Sequence, residues 1–343
     1  MRRRVLMVRL DGAGDVLLAG PAVRAVAQSC DVVMLTGPAG EPAARLLPGV
    51  KDVLSWRCPW VIYDPPAAER ADIDDIRRHI EDLHCDAALI LTSFHQSPLP
   101  TALLLRMAGI AWIGAISIDY PGSLLDLRVN DPGDIHESQR GLRLAEAAGF
   151  ELGPDDGGGL SLVDDLPDMR HLTGSAPYVV AHPGCSAPAR QWSTQRWAEA
   201  VATLGAAGRR VIVTGGPSET ALAEQVADSD ALNLAGQTNL AELAGVLARA
   251  DAVVVGNTGP AHLAAAAGTP VVSLFAPTVP AVRWRPFGRH VLLGDQDAAC
   301  RQTRAITCPV PGHPCLQTVR PRDVVDAVDR LTYPATHEME VVR

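Results

Sequence analysis

Four short stretches of this chain carry residues able to do chemistry. The first is Asp11-Gly12-Ala13-Gly14-Asp15, which follows the apolar run RRVLMVRL. Gly12 and Gly14 let a backbone approach a ligand closely. Asp15 can accept a proton from a substrate hydroxyl, or it can cap the helix that begins after it. The second stretch is HPGCSAPAR, residues 182–190. Gly184, Cys185 and Ser186 offer N–H groups and a hydroxyl to a phosphate, and Arg190 offers a forked guanidinium to a diphosphate. An ordinary surface loop with a solvated arginine is the other reading. Cys185 has no identifiable base partner and reads as a small residue in a tight loop.

The third stretch is TGGPSE, residues 214–219. Glu219 can accept ribose hydroxyls or simply favour a helix N-terminus through the helix dipole. The fourth is Asn257-Thr258-Gly259-Pro260-Ala261-His262, a Gly-containing turn between an apolar run and a helix start. Backbone N–H groups at such a helix start hold phosphate. His262 can donate to a leaving phosphate or be a satisfied structural histidine. Cys300, Cys308, His313 and Cys315 have donor atoms for zinc, but their spacing lacks the usual CxxC pair. A packed, Pro-rich loop is the reading there, and no metal is expected.

The elements that must position these residues repeat one pattern. Residues 3–10 read as a buried strand, 11–15 as a turn, 16–29 as a helix despite Pro21, and 31–36 as the next strand. That β–turn–α–β opening implies a parallel sheet. Strands at 86–92 and 111–117 and helices at 100–109 and 136–150 follow. Periodicity is lost over 151–168, ELGPDDGGGLSLVDDLPD, the best linker in the chain. A second α/β series then runs to a last helix at 321–332. Each half has Gly-rich turns after strands, which suggests a ligand held between two Rossmann-like halves.

Composition sets bounds. A length of 343 residues with 47% hydrophobic and only 4% aromatic residues suits two cores built from Ala, Val and Leu. Residues 1–170 hold 16 basic and 25 acidic side chains, whereas the rest is balanced. That acidic half argues against nucleic acid and anionic membrane surfaces as partners. No apolar run reaches the ~18 residues of a membrane span. The charged residues Arg9 and Asp11 cut the N-terminal apolar run too short for a secretory signal. Seven scattered cysteines suit reduced thiols, so a cytoplasmic protein is expected. Lys51 is the single lysine.

In combination and order these motifs resemble glycosyltransferase family 9, the bacterial ADP-heptose heptosyltransferases. The resemblance runs from RLDGAGDVLLAGPAVRAV through HPGCSAPARQWSTQRWAEA and VIVTGGPSE to LAGQTNLAELAGVLARADAVVVGNTGPAHLAAAAGTPVVSLFAPT and the tail PCLQTVRPRDVVDAV. It implies an α/β chain of GT-B architecture, with two Rossmann-like parallel-sheet domains facing a central cleft. Residues 1–160 would bind the acceptor and 170–320 the nucleotide sugar. Residues 321–343 would form a C-terminal helix and tail that can pack back on the N-terminal domain.

The activity implied is inverting, metal-independent and cofactor-free transfer of a heptose from a nucleotide diphosphate donor, most simply ADP-heptose, to a hydroxyl. Asp15 matches the family's catalytic base, with Gly12 and Gly14 on the acceptor side. Gly184, Cys185, Ser186, Arg190, Thr258, Gly259 and His262 fall to the diphosphate, and Glu219, Thr238 and Asn257 to the nucleotide. Many relatives have Lys at Arg190. Asn257 stands where the family has Asp, which removes a negative charge from the donor site.

The family's familiar acceptor is the anionic lipopolysaccharide core. The acidic first half points instead to a neutral or cationic glycan or small molecule. A nucleotide-sugar epimerase on the same scaffold, and a non-catalytic nucleotide-sugar-binding protein, are the competing readings.

Overall fold

The structure is a computed structural model that describes residues 2–62, 64–227 and 230–333. The chain divides between Asp164 and Asp165 into two units. The first holds six strands: β1 (Arg4–Arg9), β2 (Asp31–Thr36), β3 (Val50–Ser55), β4 (Ala87–Ile90), β5 (Trp112–Ile116) and β6 (Leu127–Val129). Its sheet order is β3-β2-β1-β4-β5-β6, and every pairing is parallel. The second holds β7 (Val179–His182), β8 (Val211–Val213), β9 (Leu232–Asn233), β10 (Ala252–Gly256), β11 (Val271–Leu274) and β12 (His290–Leu293). They pair in parallel in the order β12-β11-β10-β7-β8-β9. These are the two Rossmann-like sheets that the GT-B expectation requires.

Central strands are apolar on both faces because helices cover both, as parallel sheets demand. Val5, Leu6, Met7 and Val8 of β1 and Val253, Val254 and Val255 of β10 are all buried. Both sheets share one winding. Each first strand lies at the centre, the next two go to one side, and the fourth returns to the other. The winding reverses between β1 and β4 and again between β7 and β10. Such reversal points leave a crevice beyond the carboxyl ends of the strands, where ligands of this fold bind.

Two expectations are corrected. The helix expected at 16–29 is two helices, Ala13–Leu18 and Gly20–Ala27, hinged at Ala19. Pro21 has no N–H for the preceding turn, so it occupies the start of the second helix rather than the middle of a single one. The expected linker 151–168 is largely absorbed by the first unit, where Arg24 pairs with Asp156 at 2.6 Å and donates to the Gly159 carbonyl at 2.7 Å. The last helix, Pro321–Thr332, belongs to the second unit. Its apolar stripe of Val324, Val325, Ala327, Val328 and Leu331 lies in the core of the second unit with Trp192 and Trp197. The rest of that tail, 334–343, lies outside the described residues. No helix among the described residues is long and apolar enough to cross a membrane.

One close approach in the second unit is a stability test. A Cβ placed on Gly245, in helix Leu240–Leu247, would sit 2.2 Å from the Pro167 carbonyl oxygen. Backbone cannot swing aside as a side chain can. Gly245→Ala is expected to lower unfolding free energy by about 1–3 kcal/mol, read as a drop in the urea midpoint. An unchanged midpoint would show that the helix shifts without cost.

Candidate active site

In the first unit the crevice between β1 and β4 is organised by a charge that the sequence reading passed over. Arg9 ends β1 and is 4% exposed. Its guanidinium faces three carboxylates: Asp11 at 3.0 Å, Asp15 at 2.8 Å and Glu137 at 3.9 Å. The same Nη2 that reaches Asp15 also donates to Ser93 Oγ at 3.0 Å, in the loop after β4. Burial by itself would lower the Arg9 pKa, but the three carboxylates outweigh it and raise it. The guanidinium is therefore charged at every accessible pH.

Gln96 closes the network. It accepts the Ser93 N–H at 3.0 Å and donates to Asp11 at 2.6 Å. Burial pushes the Asp11 carboxyl up, Arg9 opposes this, and Asp15 adds to it. Asp11, Gln96, Ser93 and Arg9 thus tie the turn after β1 to the loop after β4.

Asp15 does not cap a helix. The helix starts one turn earlier than expected, with Gly12 as its N-cap, Gly14 as its second residue and Asp15 as its third. One carboxylate oxygen is held by Arg9, and the side chain keeps 28% exposure. A small pocket links Asp15 and Arg9 with Thr92, Glu137 and Arg140. The Arg140 guanidinium donates to the Thr92 carbonyl at 2.5 Å and lies 3.6 Å from Asp131. Backbone at Gly12 is extended, and a Cβ there would meet no atom within 4 Å.

In the second unit the crevice lies between β7 and β10. His182 ends β7, is buried, and hydrogen-bonds through Nδ1 with Thr214 Oγ1 at 3.0 Å. Its Nε2 lies 3.7 Å from Glu219. Burial holds the imidazole below its usual pKa against the pull of Glu219, so the ring is neutral at pH 7. Glu219 folds back to accept the Gly216 N–H at 2.7 Å. It also packs against Gly184, where a Cβ would lie 2.0 Å from the Glu219 Oε1 atom. What packs on Gly184 is thus a carboxylate.

Cys185 donates from Sγ to the Ala187 carbonyl at 3.5 Å, and burial pushes its thiol up. Ser186 is exposed on the same loop.

Arg190 is carried on a short 3-10 turn, Pro188–Arg190. That turn is braced from both sides by the Pro-rich loop. Ala189 donates its N–H to the Ile306 carbonyl at 2.7 Å, and His313 Nε2 donates to the Ala189 carbonyl at 3.0 Å. A Cβ on Gly256 would lie 3.5 Å from the Arg190 carbonyl oxygen, so this turn rests on the end of β10. The 182–190 and 256–262 stretches are therefore neighbours, as the sequence reading required. The Cys315 thiol is pushed up to about 12 by burial and by the adjacent Cys300 and Cys308. Among the described residues no group of three or more His, Cys, Asp or Glu side chains is arranged to hold a metal.

At the fourth stretch Thr258 is the N-cap of helix Gly259–Ala266, and His262 is buried in its first turns. The helix start offers fewer donors than the sequence suggested. Thr258 N–H is spent on Gly256 and Ala261 N–H on Thr258, and Pro260 has none. Of these, only the Gly259 N–H is without a backbone partner among the described residues. Asn257 is 6% exposed. Its Nδ2 reaches the Ala276 carbonyl at 3.5 Å, while its Oδ1 has no hydrogen-bond partner among the described residues. Thr238 lies in the turn after β9, just before the N-cap Asn239.

The sequence reading missed Arg9, Ser93, Gln96, Glu137 and Arg140 in the first unit, and His182 and Thr214 in the second. A charged residue closing an otherwise apolar run, as Arg9 does in VLMVR, was the available signal.

The chain is similar to known proteins in sequence and in fold. The profile of glycosyltransferase family 9 (heptosyltransferase) matches residues 77–313. Lipopolysaccharide heptosyltransferase 1 of Salmonella typhimurium is 27% identical over 299 residues, covering 81% of this chain and 89% of that protein. A family 9 glycosyl transferase from Veillonella parvula superposes with a TM-score of 0.79 at 16% identity, over 96% of this chain and 97% of its own. The E. coli ADP-heptose lipopolysaccharide heptosyltransferase II gives 0.72 at 18% identity, over 96% and 98%. The family profile spans well over half of the chain, and the shared fold spans nearly all of it. The chain belongs to glycosyltransferase family 9 and is a glycosyltransferase that uses a nucleotide-sugar donor.

Proposed function

We propose that this protein is an inverting, metal-independent heptosyltransferase that draws on ADP-heptose, with Asp15 as general base. The observation that carries the reading is the Arg9–Asp15 pair at the carboxyl end of β1. It fixes one carboxylate oxygen and leaves the side chain partly exposed in the crevice where this fold binds ligands. In this reading Asp15 takes the proton of the acceptor hydroxyl as that oxygen attacks the anomeric carbon. The C–O bond to the diphosphate breaks on the opposite face, and the configuration inverts. Arg190, His262 and the Gly259 N–H stabilise charge developing on the leaving diphosphate. Glu219, Thr238 and Asn257 form the nucleotide side. Names of the relatives support ADP-heptose as donor and lipopolysaccharide synthesis as setting.

The acceptor is proposed to be neutral or cationic rather than a polyanion. Both cations beside Asp15 are already committed, Arg9 to three carboxylates and Arg140 to Thr92 and Asp131. Together with Asp11, Asp15 and Glu137, the crevice carries more acid than base. A bound anion there would meet unbalanced carboxylates.

The test is a panel of ADP-, GDP- and UDP-sugars read by thermal unfolding, followed by turnover with neutral, amino-sugar and phosphorylated acceptors. A donor at 100 times its Kd is expected to add about 2.7 kcal/mol of stability, and ADP-sugars should do so selectively. NMR should show an inverted anomeric centre and a dependence on acceptor. Stabilisation by UDP- or GDP-sugars alone would overturn the donor. Acceptor-free conversion would make it an epimerase, and binding without turnover a sensor. Turnover confined to phosphorylated acceptors would overturn the acceptor class.

A further inference from the structure

We infer that Arg9 is a positioning residue for sugar transfer, holding Asp15 in register with the acceptor through a closed side-chain network that also fixes the floor of the acceptor crevice. The inference rests on Asp15 being the base. Its geometry is specific. Nη2 binds Asp15 Oδ1 at 2.8 Å and Ser93 Oγ at 3.0 Å, so one nitrogen joins the helix after β1 to the loop after β4. Nε faces Asp11 at 3.0 Å, and Gln96 links Asp11 back to Ser93. The planar fork of a guanidinium serves these partners at fixed angles, which a lysine ammonium cannot match. With Oδ1 so held, the plane of the Asp15 carboxylate is set before substrate arrives. Preset orientation of this kind accelerates the chemical step rather than donor binding.

Charge contributes as well. The groups facing the pair are Asp11 from the turn, Glu137 and Arg140 from helix Glu137–Ala147, and Ser93 and Gln96 from the β4 loop, with His95 exposed on the same loop. Removing Arg9 leaves three carboxylates sharing one remaining cation. Their mutual repulsion then loosens the orientation of Asp15.

Arg9→Lys, Arg9→Met and Arg9→Met combined with Asp11→Asn test this, with Asp15→Asn alongside. In Arg9→Met, kcat should fall roughly thirtyfold while donor KM stays within about twofold. Arg9→Lys should recover part of the rate and leave kcat about fivefold down, since charge returns without the fork. Where Arg9→Met fails to melt cooperatively, the double variant carries one buried carboxylate fewer and takes its place. Should neither fold, Arg9→Lys decides. Wild-type kcat in Arg9→Lys, or kcat within about twofold of wild type in a folded Arg9→Met or double variant, would overturn the inference. A fully active Asp15→Asn would instead overturn the base assignment. An inactive Asp15→Asn beside unaltered Arg9 variants would remove only the positioning role.

Discussion

Asp15→Asn is expected to lower kcat for sugar transfer about a thousandfold, within the ~10²–10⁴ range for loss of a positioned general base. Donor affinity should stay within about twofold. The amide keeps the shape of the side chain, and it can still accept from Arg9 through its carbonyl oxygen. It cannot take the acceptor proton. An interaction made only in the transition state lowers kcat and kcat/KM together, so both should fall by the same factor. The charge change is small for the fold, because Arg9 keeps Asp11 and Glu137 as partners. Single-turnover transfer and donor titration by calorimetry measure the two quantities separately. Retention of more than a tenth of kcat would rule out Asp15 as the base.

Arg190→Met is expected to lower kcat about a hundredfold, comparable to the loss of one donor to a developing oxyanion, and to weaken donor binding by a smaller factor. The reason lies at the helix start after β10. Pro260 supplies no N–H, and Thr258 and Ala261 bond to Gly256 and Thr258. Few backbone donors remain for a diphosphate whose charge grows as the sugar leaves. The guanidinium must carry much of that load, and its turn is braced by Ile306 and His313. Arg190→Lys should recover most of the rate at neutral pH. Unlike the arginine protein it should lose activity at high pH as the ammonium deprotonates. Steady-state kinetics from pH 6 to 10 would show this. Wild-type kcat in Arg190→Met would place the leaving group elsewhere.

The central sheet was legible because its strands are continuous apolar runs. VLMV, VVML, YVVA and AVVV are buried on both faces, and a run of β-branched residues between Gly-rich turns has little else to become. The edges were not. β3, VKDVLS, has no fully buried residue and two adjacent exposed charges, and β9 is two residues long, so neither gives a periodic signal. The helix Arg70–Asp82 buries only Ile76 and Ile80, too narrow a stripe to stand out from a charged run.

The donor-side turns were found because Gly, Ser, Thr and His cluster locally. The Arg9 network was not, because its members are scattered from position 9 to position 140 and meet only through the topology. The N-cap reading of Asp15 failed for a local reason. A glycine in extended conformation at position 12 can also start a helix, so the first turn begins three residues earlier.

The two sheets are wound alike, and each places its reactive groups where the winding turns back on itself. Redesign follows from that symmetry. In the proposed reading the proton acceptor of one unit and the anion holder of the other both sit on connectors after a first or fourth strand. Retuning what is donated or accepted is then a matter of rewriting a few short connectors, while the strands beneath them stay as they are.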